Sequence, residues 1–287
     1  MLKELEADCR PSDIGAGVAQ ARALAVRNQT ADVYRRCFGC LDLTTLGVAD
    51  TNESVQALAH KAAACSACFS GMPDVASVCV YPVFVDAAGL ALGDADIAVT
   101  SVAGGFPASQ TYLEVKMLEL AMALENGADE VDIVMNVGQF LSGNYEAMAS
   151  EIQALRDEAG EDTTLKVIIE SGALVQPELI RRASLLVMEA GADFIKTSTG
   201  KTSVSATPEA ALVMCGAIRD FYRKTGRRVG FKAAGGVSTP EAAVLYYSIV
   251  QSVLGEEWLT PSLFRIGASS LANQLLSAIN GQPVAYF

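Results

Sequence analysis

Two lysines of this sequence lie inside short apolar runs, Lys196 in FIKTST and Lys232 in GFKAAGG. Such runs have the composition of buried strands, where a charged ammonium is costly. One lysine of this kind is most simply a structural residue, ion-paired or snorkelling to water. Two on successive runs each disfavour the other's charge, and loss of solvent acts in the same direction. A neutral amine can attack a carbonyl and form an imine. Asp132, in EVDIVMN, adds a carboxylate that can take and return protons as carbinolamine becomes imine. Asp42 in CLDLTTL and Cys79 in VCVYP are further polar residues set in apolar runs. The competing reading pairs each lysine with a buried acid and assigns no chemistry to either. Spacing leaves open which lysine is the nucleophile and which bond breaks.

A second feature points to an anion. Lys196-Thr-Ser-Thr-Gly-Lys201, Ala234-Gly-Gly-Val237 and Gly267-Ala-Ser-Ser270 each follow one of the last three apolar runs. Glycine lets backbone N–H groups approach phosphate oxygens closely. Other chemistries lack their parts. The sequence has a single histidine, His60, so histidine acid–base, Ser-His-Asp and HExxH mechanisms are set aside. Cys37-x-x-Cys40 and Cys65-x-x-Cys68 have a zinc-like pattern. CFGCLDLTTL reads as a strand, which would turn Cys37 and Cys40 to opposite faces. Cys65 and Cys68 fall on an Ala-rich helical stretch, where cysteine is a small core filler. No metal is expected.

These residues need a scaffold. Apolar, β-rich runs recur at Cys37–Leu43, Ser77–Val85, Ile97–Ala103, Glu130–Asn136, Leu165–Glu170, Phe194–Thr199, Val229–Ala234 and Phe264–Ala268. Helical patterns alternate with them at Gln110–Asn126, Asn144–Gly160, Pro177–Ala190, Pro208–Lys224 and Pro240–Leu254, three of them opening on proline. Strand and helix alternating in this way predict an α/β fold, a (β/α)₈ TIM barrel, with a doubly wound open sheet as the other candidate. Barrel enzymes collect their reacting groups at the C-terminal ends of the strands, with phosphate sites in the loops after the seventh and eighth. A single domain over 1–287 is expected, with a helical extension over 1–36 and a flexible tail over 280–287. A helix near Ile14–Arg27 is expected to close the barrel bottom. Glu125–Asp129 and Glu189–Asp193 are near-repeats, read as a shared way of leaving a helix and entering a strand.

Composition bounds the partners. The chain has 287 residues, 51% of them hydrophobic, and a net charge of −12. That supports a large core and argues against disorder. No basic run exceeds two residues, so neither nucleic acid nor a membrane surface is an expected partner. No apolar stretch is long enough to span a bilayer, and the start of the chain lacks a signal-peptide core. A cytoplasmic protein with reduced thiols is the expectation.

GADEVDIVMN, LKVIIESG, GADFIKTSTGK, VGFKAAGG and RIGASSL resemble the motifs of the 2-deoxyribose-5-phosphate aldolases, a class I aldolase family, in the family's order. The resemblance runs from about Asp42 to Ala278. It implies reversible cleavage of 2-deoxy-D-ribose 5-phosphate to D-glyceraldehyde 3-phosphate and acetaldehyde, without metal or cofactor, in a homodimer or homotetramer. By similarity Lys196 forms the Schiff base, Lys232 tunes its pKa, and Asp132 moves protons. Asp42, Thr44 and Cys79 would face the substrate. Thr199, Gly200, Lys201, Gly235, Gly236, Gly267, Ser269 and Ser270 would hold the phosphate. Tyr286, in the chain's last residues, would correspond to the tail tyrosine that assists proton transfer in relatives. Ser238 stands where relatives often carry arginine. The other-class alternative is a catalytically weak barrel that serves as a protein-binding scaffold.

Overall fold

The structure, a computed structural model, describes residues 11–287. Its eight parallel strands close in sequence order into one barrel: β1 (Leu41–Thr44), β2 (Ser77–Val80), β3 (Ala98–Ala103), β4 (Glu130–Val134), β5 (Thr164–Ile168), β6 (Phe194–Lys196), β7 (Gly230–Ala234) and β8 (Phe264–Ala268). The strands are nearly all buried, as parallel strands covered by helices must be. The open-sheet alternative is excluded, because β1 pairs with both β2 and β8.

Helices α1 (Pro11–Arg27) and α2 (Ala31–Gly39) precede the barrel. Around it run α3 (Asn52–Cys68), α4 (Val85–Leu92), α5 (Leu113–Glu125), the short α6 (Val137–Leu141), α7 (Tyr145–Ala159), the short α8 (Ser171–Leu174), α9 (Pro177–Glu189), α10 (Pro208–Thr225), α11 (Pro240–Leu254) and α12 (Leu271–Asn280). Thr207 and Thr239 cap α10 and α11 by accepting the N–H of Ala210 and Ala242, and proline follows each cap.

Three expectations need correction. The stretch around Cys37 is helical, and β1 starts at Leu41. Thr30 caps that helix, Asp32 and Arg36 suit its two ends, and Cys37, Phe38 and Gly39 turn into the core. Cys37 and Cys40 are therefore not on one strand. Burial pushes both thiols up, Cys40 to about 12, which disfavours metal-binding thiolates. Second, α1 does not close the barrel bottom. It lies along α10 and α11, where Gly17 leaves room for Leu212 and the Asn28 amide donates to Ser248 and Gln251. Third, the 281–287 tail is docked. Val284 N–H donates to Ser277 Oγ (2.8 Å), and the Tyr286 and Phe287 N–H groups donate to Asn273 Oδ1 (2.8 and 2.9 Å).

The near-repeat has a structural cause. Asp129 Oδ2 accepts the N–H of Val99, and Asp193 Oδ2 accepts the N–H of Leu165, each at 2.8 Å. In both places the turn's aspartate clamps the start of the preceding strand, and a positive-φ glycine makes the turn.

Candidate active site

Strand register places the charges. Lys196 pairs with Lys232 across β6 and β7, Lys232 with Arg265 across β7 and β8, and Asp132 with Lys166 across β4 and β5. Side chains at such positions point into the barrel and meet at its centre. Asp132 Oδ2 accepts from Lys196 Nζ at 2.6 Å and from Lys232 Nζ at 2.7 Å, while Lys166 Nζ lies 3.2 Å from Asp132 Oδ1. Lys232 also contacts Asp42. Arg265 bridges Asp42 Oδ1 and Glu130 Oε1, each at 2.6 Å, and Lys166 reaches Glu130 at 2.5 Å. Among the described residues, Lys166, Lys196, Lys232 and Arg265 thus face Asp42, Glu130 and Asp132, one cation more than there are carboxylates.

The surplus is resolved unevenly. Burial lowers the Lys196 pKa, the attraction of Asp132 opposes this, and Lys232 lowers it further; the outcome is a shift below the usual lysine range. Burial also disfavours the Lys232 cation, but Asp132 and Asp42 together outweigh burial and raise its pKa. The expectation that both lysines lose affinity for their proton therefore holds for Lys196 and fails for Lys232, because only Lys232 touches two carboxylates. Asp132 is fully buried, which opposes its charge, yet Lys166, Lys196 and Lys232 hold it well below the ordinary range. Asp42 and Glu130 are lowered in the same way, against burial, by the cations around them. Groups with lowered folded pKa values contribute stability that is complete above about pH 4, the unfolded value, and lost as pH falls through the folded values. Thermal melts should accordingly give a Tm that is steady from about pH 8 to 5 and drops below about 4. Arg265→Ala should cost about 3–5 kcal/mol in denaturant melts, since Asp42 and Glu130 would keep buried charge with too few partners.

Above this cluster opens a cleft of about 570 Å³. Its lining gathers Thr44, Lys196, Thr199, Gly200, Lys201, Gly235, Gly236, Gly267, Ser269 and Ser270, together with Ser238. Asp42, Cys79, Asp132 and Lys232 are fully buried and are not part of that lining. Glycine is required at Gly235, where φ is +85° and an added Cβ would clash with Ser205. A Cβ at Gly267 would come within 3.2 Å of Lys232 Cε, so this glycine makes room for the lysine. Ser270 stands at the N-terminus of α12, whose free N–H groups favour an anion. The Lys201 ammonium donates to the Leu46 carbonyl and links the β6 and β1 loops. Leu46, Cys79 and Val102, with Tyr81 and Phe106 packed on them, form an apolar cluster in the same upper part of the barrel. Burial raises the Cys79 thiol pKa, which keeps it a neutral member of that cluster.

Tyr286 is not brought to this cleft. Its hydroxyl donates to the Lys61 carbonyl on α3 at 2.9 Å, and its ring meets Phe69 edge-on. The aromatic end of the chain finds apolar partners on the outside of the barrel, and those contacts would have to break before Tyr286 could approach Lys196. Lys166, Glu130 and Arg265 were not foreseen. They carry the same signal as Lys196, a charge inside an apolar strand run, in LKVII, EVDIV and FRIGA.

Fold and site together define a (β/α)₈-barrel enzyme with a buried lysine–carboxylate centre beneath a glycine-lined cleft. The profile of the DeoC/LacD family aldolases matches residues 39–273, and the chain belongs to that family. It is 43% identical over 282 residues to the deoxyribose-phosphate aldolase of Mus musculus, covering 93% of this chain and 88% of that one. Among solved structures, the aldolase QR15 superposes with a TM-score of 0.69 at 27% identity, covering 85% of this chain and 96% of that one. The tetrameric deoxyribose phosphate aldolase of Aeropyrum pernix has the same fold, with a TM-score of 0.68 at 24% identity and coverage of 90% and 97%.

Proposed function

We propose that this protein is a class I aldolase that cleaves 2-deoxy-D-ribose 5-phosphate to D-glyceraldehyde 3-phosphate and acetaldehyde, and joins them in reverse. The observation that carries this reading is the Lys196 amine, 2.6 Å from Asp132 at the foot of the cleft, with its proton affinity lowered. The 43% identity to a deoxyribose-phosphate aldolase supports the choice of substrate.

In this reading the neutral Lys196 amine attacks the C1 aldehyde and forms a carbinolamine. Asp132, bonded to both lysines, takes up and returns protons so that water can leave and a protonated imine forms. The 3-hydroxyl proton then passes through water to Asp132, C3 becomes the aldehyde of the departing D-glyceraldehyde 3-phosphate, and the C2–C3 bond breaks. Its electrons move to the imine and form an enamine, which is protonated at C2 and hydrolysed to acetaldehyde. The imine nitrogen is the electron sink, so no step calls for a metal. Lys232, held charged by Asp42 and Asp132, keeps Lys196 from holding its own proton. Gly200, Lys201, Gly235, Gly236, Ser269 and Ser270 receive the phosphate by backbone N–H groups, hydroxyls and one ammonium.

Borohydride added with substrate should trap an adduct at Lys196, located by peptide mass spectrometry; an adduct only at Lys232, or none, would overturn the proposal. Because only the neutral amine attacks, kcat/KM should fall on the acid side as Lys196 takes up its proton, with the apparent pKa below the ordinary lysine value. Ser238→Arg would add a cation to the cleft lining and should lower KM for the phosphorylated substrate by about 3- to 10-fold. Unchanged KM would place the phosphate elsewhere.

No helix among the described residues is long and apolar enough to cross a membrane. A cytoplasmic setting agrees with the free thiols among the described residues. A homodimer or homotetramer agrees with the tetrameric relative and is checked by sedimentation.

A further inference from the structure

Glu170 stands apart from the charged cluster and from the cleft lining, yet it is 4% exposed. Among the described residues no lysine, arginine or histidine forms an ion pair with it. Its backbone is left-handed, with φ +50° and ψ +60°, a conformation that a residue bearing a Cβ rarely adopts. That turn at the end of β5 aims the carboxylate across to the loop after β6. Oε2 accepts the Thr199 hydroxyl at 2.5 Å and the Thr199 N–H at 3.3 Å. Oε1 lies 3.4 Å from that N–H and 3.3 Å from the Thr202 hydroxyl, whose one proton it shares with the Val204 carbonyl at 2.9 Å. With its proton given to Glu170, the Thr199 oxygen is free to accept the N–H of Lys201 at 3.1 Å. The Lys201 ammonium in turn donates to Leu46 on the far side of the cleft. The two loops are interlocked along their length as well. Ser171 N–H donates to Thr197 O at 2.8 Å, and a Cβ at Gly172 would overlap the Val204 carbonyl.

A strained, buried acid that spends both oxygens on one loop is a fastening for that loop. We infer that Glu170 is a positioning residue for recognition of the substrate's phosphate: through Thr199 it fixes the Gly200–Lys201 segment that forms one wall of the cleft. This rests on the reading of the cleft as a phosphate site. Glu170 is not among the groups bonded to Lys196, so it should govern the fit of the phosphate end and leave bond cleavage alone.

The test compares 2-deoxyribose 5-phosphate with unphosphorylated 2-deoxyribose in wild type and Glu170→Gln. Glutamine replaces one acceptor oxygen with an amide that can only donate, so one of the loop's donors loses its partner. KM for the phosphorylated sugar should rise about tenfold, while kcat/KM for 2-deoxyribose stays within about twofold. Equal losses on both sugars, or no change on either, would overturn the inference. If wild type itself shows no preference for the phosphorylated sugar, the phosphate reading of the cleft fails first, and the two failures are thereby told apart. Should Glu170→Gln not fold, Thr202→Val removes one donor at an exposed position. It should raise the same KM about threefold without change on 2-deoxyribose, and equal or absent effects there would likewise sink the inference.

Discussion

Lys196→Ala should lower kcat by about 10⁴-fold or more and abolish the borohydride adduct, while leaving the protein about as stable as wild type. The two halves of this result come from the same charge arrangement. In the proposed reaction Lys196 supplies the amine, and the Lys232 ammonium is held by two carboxylates that favour its charge. Lys166 and Lys232, both fully buried and ion-paired, do not replace the lost nucleophile. Stability survives because Lys196 is the surplus amine, the one whose charge the cluster disfavours. Its removal leaves Lys166, Lys232 and Arg265 facing Asp42, Glu130 and Asp132, a balanced set. Lys196 also lines the cleft, so water can fill the space its side chain leaves. Steady-state kinetics and a urea melt on one preparation check both statements. A variant that loses activity only because it unfolds would refute the balance argument.

Asp132→Asn should behave differently. Turnover should drop by about 10²- to 10⁴-fold, the range for loss of a positioned acid–base group. Unlike Lys196→Ala, this variant keeps its amine. The Lys196 cation loses its carboxylate while Lys232 remains beside it, so the amine is driven further toward neutrality. Attack on the carbonyl survives, and the proton movements that convert and release the intermediates fail. Borohydride should therefore still trap an adduct at Lys196, formed slowly. Stability should also fall by about 3–5 kcal/mol, because three buried lysines share Asp132 and would lose it together. Absence of any adduct would move the assignment of Asp132 from proton transfer to activation of the nucleophile.

Much of the scaffold was legible in the residues. Alternation of apolar runs with helical patterns gave the barrel, since a strand buried on both faces must be apolar along its length. Proline after threonine marked the starts of α10 and α11. The errors have local causes. ADVYRRCF follows a cap, Thr30, and carries an amphipathic period, and its proximity to the apolar LDLTTL obscured both. The tail has no pattern that fixes its place; Asn273 and Ser277 on α12, distant in kind from any motif, hold it.

The site was legible in part for the same reason. A lysine in FIK or GFK declares itself, because charge in an apolar strand demands an explanation. The sequence by itself determined that buried lysines and an aspartate would meet at the ends of barrel strands, below glycine-rich loops. Spacing left the two lysines equivalent and the family resemblance pointed to Lys196, but the physical reason for a division between them lies in the tertiary structure. Lys232 lies within reach of Asp42, from β1, and Asp132, from β4, whereas Lys196 touches Asp132 alone. That difference comes from barrel closure, which brings β1 and β4 to the same centre and lets electrostatics over a few ångströms divide two lysines that spacing alone left equivalent.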